Sequence, residues 1–288
     1  MSTFKPDEEF IKRSQERLTH LFQEKFKQRV AARNEKLADD KVTSQIFRNL
    51  AKGNKDIAKV GEKVYRKVLD HMKQPLPELK EATIERGDFH TESGGGSIVG
   101  FVRSAPYDWA WVTKGQSDGA KFDTASADKD GGNLSFGGWT GEDGGSASCA
   151  GAVGFFFQPK AAGTLLQVFA NPSLVYAYDA YRFIDAVRSH AWVGIYVGEF
   201  TLDGRFVRTA IDQQISLWTA DYDVGSFSGS NSAFPLFASG SADSNHFYEI
   251  WVWAGADVEG SGSHEFDWSY SFAQLSVHVP SISTFFLG

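Results

Sequence analysis

From Phe10 to Leu37 the apolar residues are Phe10, Ile11, Leu18, Leu21, Phe22, Phe26, Val30 and Leu37, with Lys, Arg, Glu and Gln between them. Leu18, Phe22, Phe26 and Val30 step by four, which predicts an amphipathic helix of about 30 residues. Pro6 followed by Asp7, Glu8 and Glu9 suits its start, because the acids complement the positive helix end. Asp39-Asp40 is expected to end it. Val42, Ile46, Phe47 and Leu50 then predict a short second helix and Gly53-Asn54 a turn. Ile57, Val60, Val64, Val68 and Met72 predict a third helix, which Pro75 and Pro77 stop.

After Ala82 the period changes from near four to two. In Asn245–Val279, Ala273, Leu275, Val277 and Val279 alternate with Gln274, Ser276 and His278. That is a strand with one buried and one wet face. Tyr248, Ile250 and Val252 alternate with Phe247, Glu249, Trp251 and Trp253, so large groups lie on both faces, as in a central strand packed on both sides. The two strands read as a long hairpin with a glycine-rich turn. Further strands are expected over 83–90, 97–102, 108–113, 147–158, 164–170, 174–183, 191–202, 205–218 and 234–238. Leu202-Asp203-Gly204-Arg205 is the clearest turn, since Asp-Gly accepts positive φ. The alternation breaks at Asp185–Arg188, which leaves a helix over 178–189 open. Gly115 to Gly145 reads as one long irregular loop. The fold class is α+β by segment: N-terminal amphipathic helices over residues 1–80, then a mainly antiparallel, jelly-roll-like β-sandwich over 81–288.

Charge sharpens that division. Residues 1–80 hold 19 Lys and Arg against 12 Asp and Glu, a net of +7, whereas the other 208 residues carry a net of −14. All eight Trp follow residue 80. No apolar run approaches the roughly 20 residues of a membrane-spanning helix. The first residues lack the pattern of a secretory signal, which points to the cytoplasm and leaves release without such a signal open. The sole cysteine, Cys149, offers neither a disulfide nor a CxxC pair and is expected to be buried and inert.

Candidate chemistry is sparse. Asp118, Asp123, Asp128 and Asp130 cluster among Gly and Ser and would suit calcium as the one candidate cofactor, although the DKDGGN segment departs from the EF-hand spacing. The seven histidines show no HxH or HExxH pairing, and His264–Asp267 is the densest polar cluster. Neither a GxSxG elbow nor an SxxK motif is present. Glu199, Glu249, Glu259 and Asp267 supply carboxylates for glycoside hydrolysis, but sequence does not set their separation. Trp109 and Trp111, and Trp251 and Trp253, share a sheet face by their spacing. With Trp268 they are the candidate ligand-binding aromatics, for a glycan or a protein.

Three functions follow. The first is a non-enzymatic structural or interaction protein that assembles as a homo-oligomer, or docks, through Phe10, Leu18, Phe22, Phe26 and Val30. The second is a membrane-active or lectin-like toxin using the basic amphipathic helices. The third is a glycan-active hydrolase. Nucleic acid is a poor partner, because Glu16, Glu24, Glu35 and Asp39 interrupt the basic arm.

Overall fold

The computed structural model describes residues 6–74, 76, 87–93, 96–117, 119–140, 144–159, 163–182, 187–221, 227–260 and 269–288. Two helices, α1 (Glu8–Ala51) and α2 (Lys55–Met72), precede fifteen strands. These are β1 (Gly87–Ser93), β2 (Gly96–Ser104), β3 (Trp109–Gln116), β4 (Ala120–Asp128), β5 (Asn133–Thr140), β6 (Gly145–Phe157), β7 (Leu165–Ala170), β8 (Ser173–Tyr181), β9 (Val187–Thr201), β10 (Phe206–Asp221), β11 (Phe227–Asn231), β12 (Leu236–Ser241), β13 (His246–Gly260), β14 (Tyr270–His278) and β15 (Ser281–Leu287).

α1 runs through Asp39-Asp40 without a break. Residues 8–51 contain no Gly or Pro, and mid-helix aspartates cost only a few tenths of a kcal/mol each. The helix stops just before the first glycine, Gly53, which adopts φ +97°. Its start is capped by Asp7, whose Oδ1 accepts from the Phe10 N–H at 2.8 Å. Asn54 caps α2 through the N–H groups of Asp56 and Ile57.

The strands form a sandwich of two layers. One layer is sheet 1, ordered β10-β9-β13-β6-β3, whose central strands are long. Sheet 2 (β4-β5-β14-β8-β11) and sheet 3 (β1-β2-β15-β7-β12) form the other. Their strands correspond in order: β14 leads into β15, β7 into β8 and β11 into β12. Pro280, Pro172 and Pro235 stand at these three junctions. Proline has no N–H to donate and interrupts a ladder, so three prolines in adjacent strands split one layer into two sheets. Every described pairing is antiparallel.

The inner face of β13 (Tyr248, Ile250, Val252, Ala254, Ala256 and Val258) is fully buried against both other sheets. Ala273, Leu275, Val277 and Val279 are fully buried as their alternation required.

Several expectations need correction. β13 and β14 do not form a hairpin: β13 is the centre of sheet 1, β14 the centre of sheet 2, and the chain crosses between layers. The loop expected over Gly115–Gly145 contains β4 and β5. Their inward residues Ala120, Phe122, Leu134 and Phe136 are buried, while the outward ones are mostly small or polar (Asp, Asn, Ser, Thr and Gly), a composition that reads as loop. β11 and β15 went unanticipated. Within 178–189, residues 178–181 and 187–189 are strand, and 183–186 lie outside the described residues. The Asp203-Gly204 turn does join β9 to β10, with Gly204 at φ +84°.

Candidate functional site

The outer face of sheet 1 is covered by α1. Trp109, Trp111, Trp251 and Trp253 lie on that face at 3%, 5%, 1% and 3% exposure, so they are a helix-packing surface and not an open platform. Trp268 and Asp118 fall outside the described residues, as do His264–Asp267. Leu18 is buried in the cluster that α1 forms with Trp109, Trp111, Trp192, Tyr196, Trp251 and Trp253. Phe22 packs on Trp111 and Trp253 at ring separations of 5.1 and 4.9 Å. Phe10 fills a cage of Phe156, Phe200 and Phe247. Glycines on the same face seat the indoles. A Cβ on Gly194 would lie 2.7 Å from Trp253 Nε1, and one on Gly154 2.9 Å from Trp109 Nε1.

Two buried carboxylates of β13 fix the helix in register. Ser14 Oγ donates to Glu249, and Arg17 pairs with Glu249 at 3.0 Å. Arg29 pairs with Asp257 at 2.9 Å and lies 4.5 Å over the Trp192 ring. Ser14 to Arg29 spans about 22 Å of helix, and Glu249 to Asp257 about 26 Å of strand, so α1 lies along β13. Burial raises the Glu249 pKa against the pull of Ser14 and Arg17. Burial pushes Asp257 up to about 7; Arg29 opposes that rise and Glu259 adds to it. The opposite charges of arm and domain thus meet within one chain. Lys25 with Asp212, at 2.8 Å, is a third such pair.

Of the residues expected to join copies, Phe10 and Leu18 are buried in this contact, and Phe22, Phe26 and Val30 are half-buried along it. The crevice between α1 and sheet 1, lined by Phe26, Arg29, Ser148 and Trp192, holds ≈ 20 Å³, the size of one water. Cys149 is buried beside it, and burial raises its thiol pKa well above the ordinary range.

The described hydrolase candidates Glu199, Glu249 and Glu259 do not converge. Glu199 faces the sandwich interior, held by Arg208, His246 and Tyr248 at 2.6, 2.9 and 3.1 Å. Glu249 faces α1. Glu259 is on the same face of β13 but ten residues on, about 33 Å away, where a glycosidase pair needs about 5–10 Å. Of the candidate calcium ligands, Asp123, Asp128 and Asp130 are described. Asp123 binds the Trp139 indole and Lys121, each at 2.9 Å. Asp128 accepts from the backbone of Asp130 and Gly131, closing the β4–β5 turn, and Asp130 pairs with Lys129. Asp123 and Asp128 are about 16 Å apart along β4, too far to share an ion. Among the described residues no group of three or more His, Cys, Asp or Glu could hold a metal. No described helix is long and apolar enough to cross a membrane.

One accessible face is the outer side of sheet 2, where the sequence pattern marks no site. Cross-strand register sets its residues in rows. One row is Thr124, Gly137, Gln274, Ala177 and Ser228; the next is Ser126, Ser135, Ser276, Val175 and Ser230. Val175 is buried and the other nine are partly or fully exposed. Flanking one side are Lys121, Trp139, Phe272 and Asp179; flanking the other are Asn133, His278 and Ser173. The result is a shallow strip, here called the trough, of small and hydroxylated side chains bordered on one side by Trp139. Trp139 is half-buried at its rim, beside Phe272 and the stacked pair Tyr181–Tyr270. Its N–H is fixed by Asp123, and Lys121 Nζ lies 5.2 Å from its ring centre. Strict alternation of Ser with buried residues was the available signal.

No protein-family model matches the chain, and no curated protein is similar to it. Among solved structures it is similar to a carbohydrate-binding module, TmCBM61, in complex with β-1,4-galactotriose (9% identity, TM-score 0.22, 62% of this chain and 87% of that one). It is also similar to a family 11 carbohydrate-binding module of a Clostridium thermocellum cellulase (8%, 0.17, 68% and 96%). A Bacteroides thetaiotaomicron lipoprotein is a third (8%, 0.22, 73% and 99%). The overlaps are slight and bear on no residue of the site.

Proposed function

We propose that this is a non-enzymatic interaction protein: a β-sandwich binding domain whose N-terminal helices assemble copies of the chain. One contrast within α1 carries the reading. Its first half is sealed onto sheet 1, with Phe10 at 4% and Leu18 at 2% exposure, whereas Ile46 and Leu50 in its second half are 56% and 68% exposed. Val60 on α2 is 57% exposed. About 33 Å of helix extends past Arg29. Repeated apolar residues left in water on a long helix are the pattern of a helix–helix seam between chains. The docked half is the anchor and the distal half with α2 is the arm.

A second copy's arm is the fitting partner, because it offers the same apolar spacing. Mixed charges on α2, such as the Arg66–Glu62 pair, allow two arms to meet without net repulsion along their length. Light scattering on the full chain tests this. The wild-type chain is expected to give a multiple of 31.7 kDa, and the combined substitution Ile46→Ser, Leu50→Ser, Val60→Ser a single chain with unchanged strand content. A wild-type monomer at high concentration sinks the reading.

A toxin-like reading has less support. The phenylalanines that would insert into a membrane, Phe10 and Phe22, already pack on sheet 1.

A further inference from the structure

We infer that the trough on the outer face of sheet 2 binds a linear, neutral oligosaccharide, lying across the strands. This rests on the reading of the domain as a binding module and names its ligand class. Three observations carry it.

The first is shape. Two successive rows of the face carry no side chain larger than Gln274; the adjoining row on one side holds half-buried Trp139, and that on the other holds His278, which is buried and bonded to Asn133 at 3.0 Å. Five strands spaced about 4.8 Å apart make the trough about 19 Å long. The strand spacing is close to the length of one sugar ring in an extended chain, so a run of about four rings matches the five strands.

The second is chemistry. Ser126, Ser135, Ser276 and Thr124 present hydroxyls, and Gln274 an amide, at regular spacing. Such groups both donate and accept, as a polyhydroxylated ligand requires. A folded peptide ligand would instead need deep apolar anchors, and the floor has none. Trp139 supplies the flat apolar ring against which the C–H face of a sugar packs. Asp123 holds that ring in place before any ligand arrives, which lowers the cost of ordering it.

The third is charge. The domain's net of −14 repels polyanions, so the fitting sugar is uncharged.

Calorimetric titration of the full chain with β-1,4-linked gluco-, xylo-, manno- and galactohexaose, β-1,3-glucohexaose and, as an acidic probe, hexagalacturonate tests the inference. At least one neutral hexaose is expected to bind. Trp139→Ala should weaken that binding about tenfold or more, and Ser135→Trp, which fills the trough from the solvent side, should abolish it. Both variants should keep the wild-type strand content and oligomeric mass at the titration temperature. The inference is overturned if no neutral probe binds, if hexagalacturonate binds better than all of them, or if binding survives both substitutions. Mass measured on the same samples keeps the two readings apart. An assembled protein that binds no sugar removes only the trough, and a monomer that binds sugar through Trp139 removes only the arm.

Discussion

Arg29 of α1 and Asp257 of β13 meet at 2.9 Å, and their contact converts a helix that sequence alone leaves unplaced into a fixed layer of the domain. The pair is buried on the strand side and partly open on the helix side. Removing Arg29 leaves a buried carboxyl without its partner, which costs about 1–3 kcal/mol, so Arg29→Ala is expected to destabilise the fold more than its partly open position suggests. Chemical denaturation checks this, and Arg29→Lys should recover part of the loss.

The same aspartate gives stability a pH dependence. Its folded pKa, about 7, lies above its ordinary value of 3.8, so the folded state holds the proton more tightly than the unfolded state. Stability from this group is therefore full below about pH 4 and is lost as pH rises towards 7. Glu249, also raised, acts in the same direction. His190, held down by burial, acts oppositely as pH falls through the ordinary histidine range. Comparing Asp257→Asn with wild type from pH 5 to pH 8 isolates Asp257: the wild type should lose stability relative to the variant as pH rises. A difference that does not change with pH contradicts this assignment.

Packing predicts an asymmetry along α1. Leu18→Ala removes a side chain buried in the aromatic seam between α1 and sheet 1 and should cost about 2–5 kcal/mol. Leu50→Ala should leave the unfolding free energy of a dilute sample within about 0.5 kcal/mol of wild type, yet weaken association. Urea titrations at low concentration separate the two.

Two glycines on opposite layers should respond differently to one methyl group. At Gly194 an added Cβ meets the Gln213 carbonyl oxygen at 2.0 Å and Trp253 Nε1 at 2.7 Å, contacts that backbone must shift to relieve. Gly194→Ala should cost about 1–3 kcal/mol or more. At Gly137 the nearest atom is Thr124 Cβ at 3.6 Å, ordinary contact. Gly137→Ala should be tolerated, within about 0.5 kcal/mol. Melting curves of the two variants decide it.

The sequence showed what periodicity can show. Period two at Ala273–Val279 marked a core strand, and large groups on both faces of Tyr248–Trp253 marked a strand packed on both sides. Which partner covered each face was beyond it. Trp251 and Trp253 look identical whether they meet a ligand or a helix, because only tertiary placement tells them apart. The helix was legible but not its seat, since Ser14, Arg17 and Arg29 are ordinary polar residues until Glu249 and Asp257 stand opposite. β4 and β5 were hidden because their outward Ser, Thr and Gly resemble a loop. Those same residues make the trough, so the property that concealed the strands is the one that gives the face its use.

The central claim is that one helix does two jobs, anchoring with its first half and joining copies with its second. Hydrogen exchange of the intact chain at two protein concentrations tests it most directly. Amides of residues 10–29 should be protected equally at both, because their contact is internal. Amides of residues 45–72 should exchange faster on dilution, as the arms separate. Equal protection of both segments at all concentrations, or rapid exchange in residues 10–29, would contradict it.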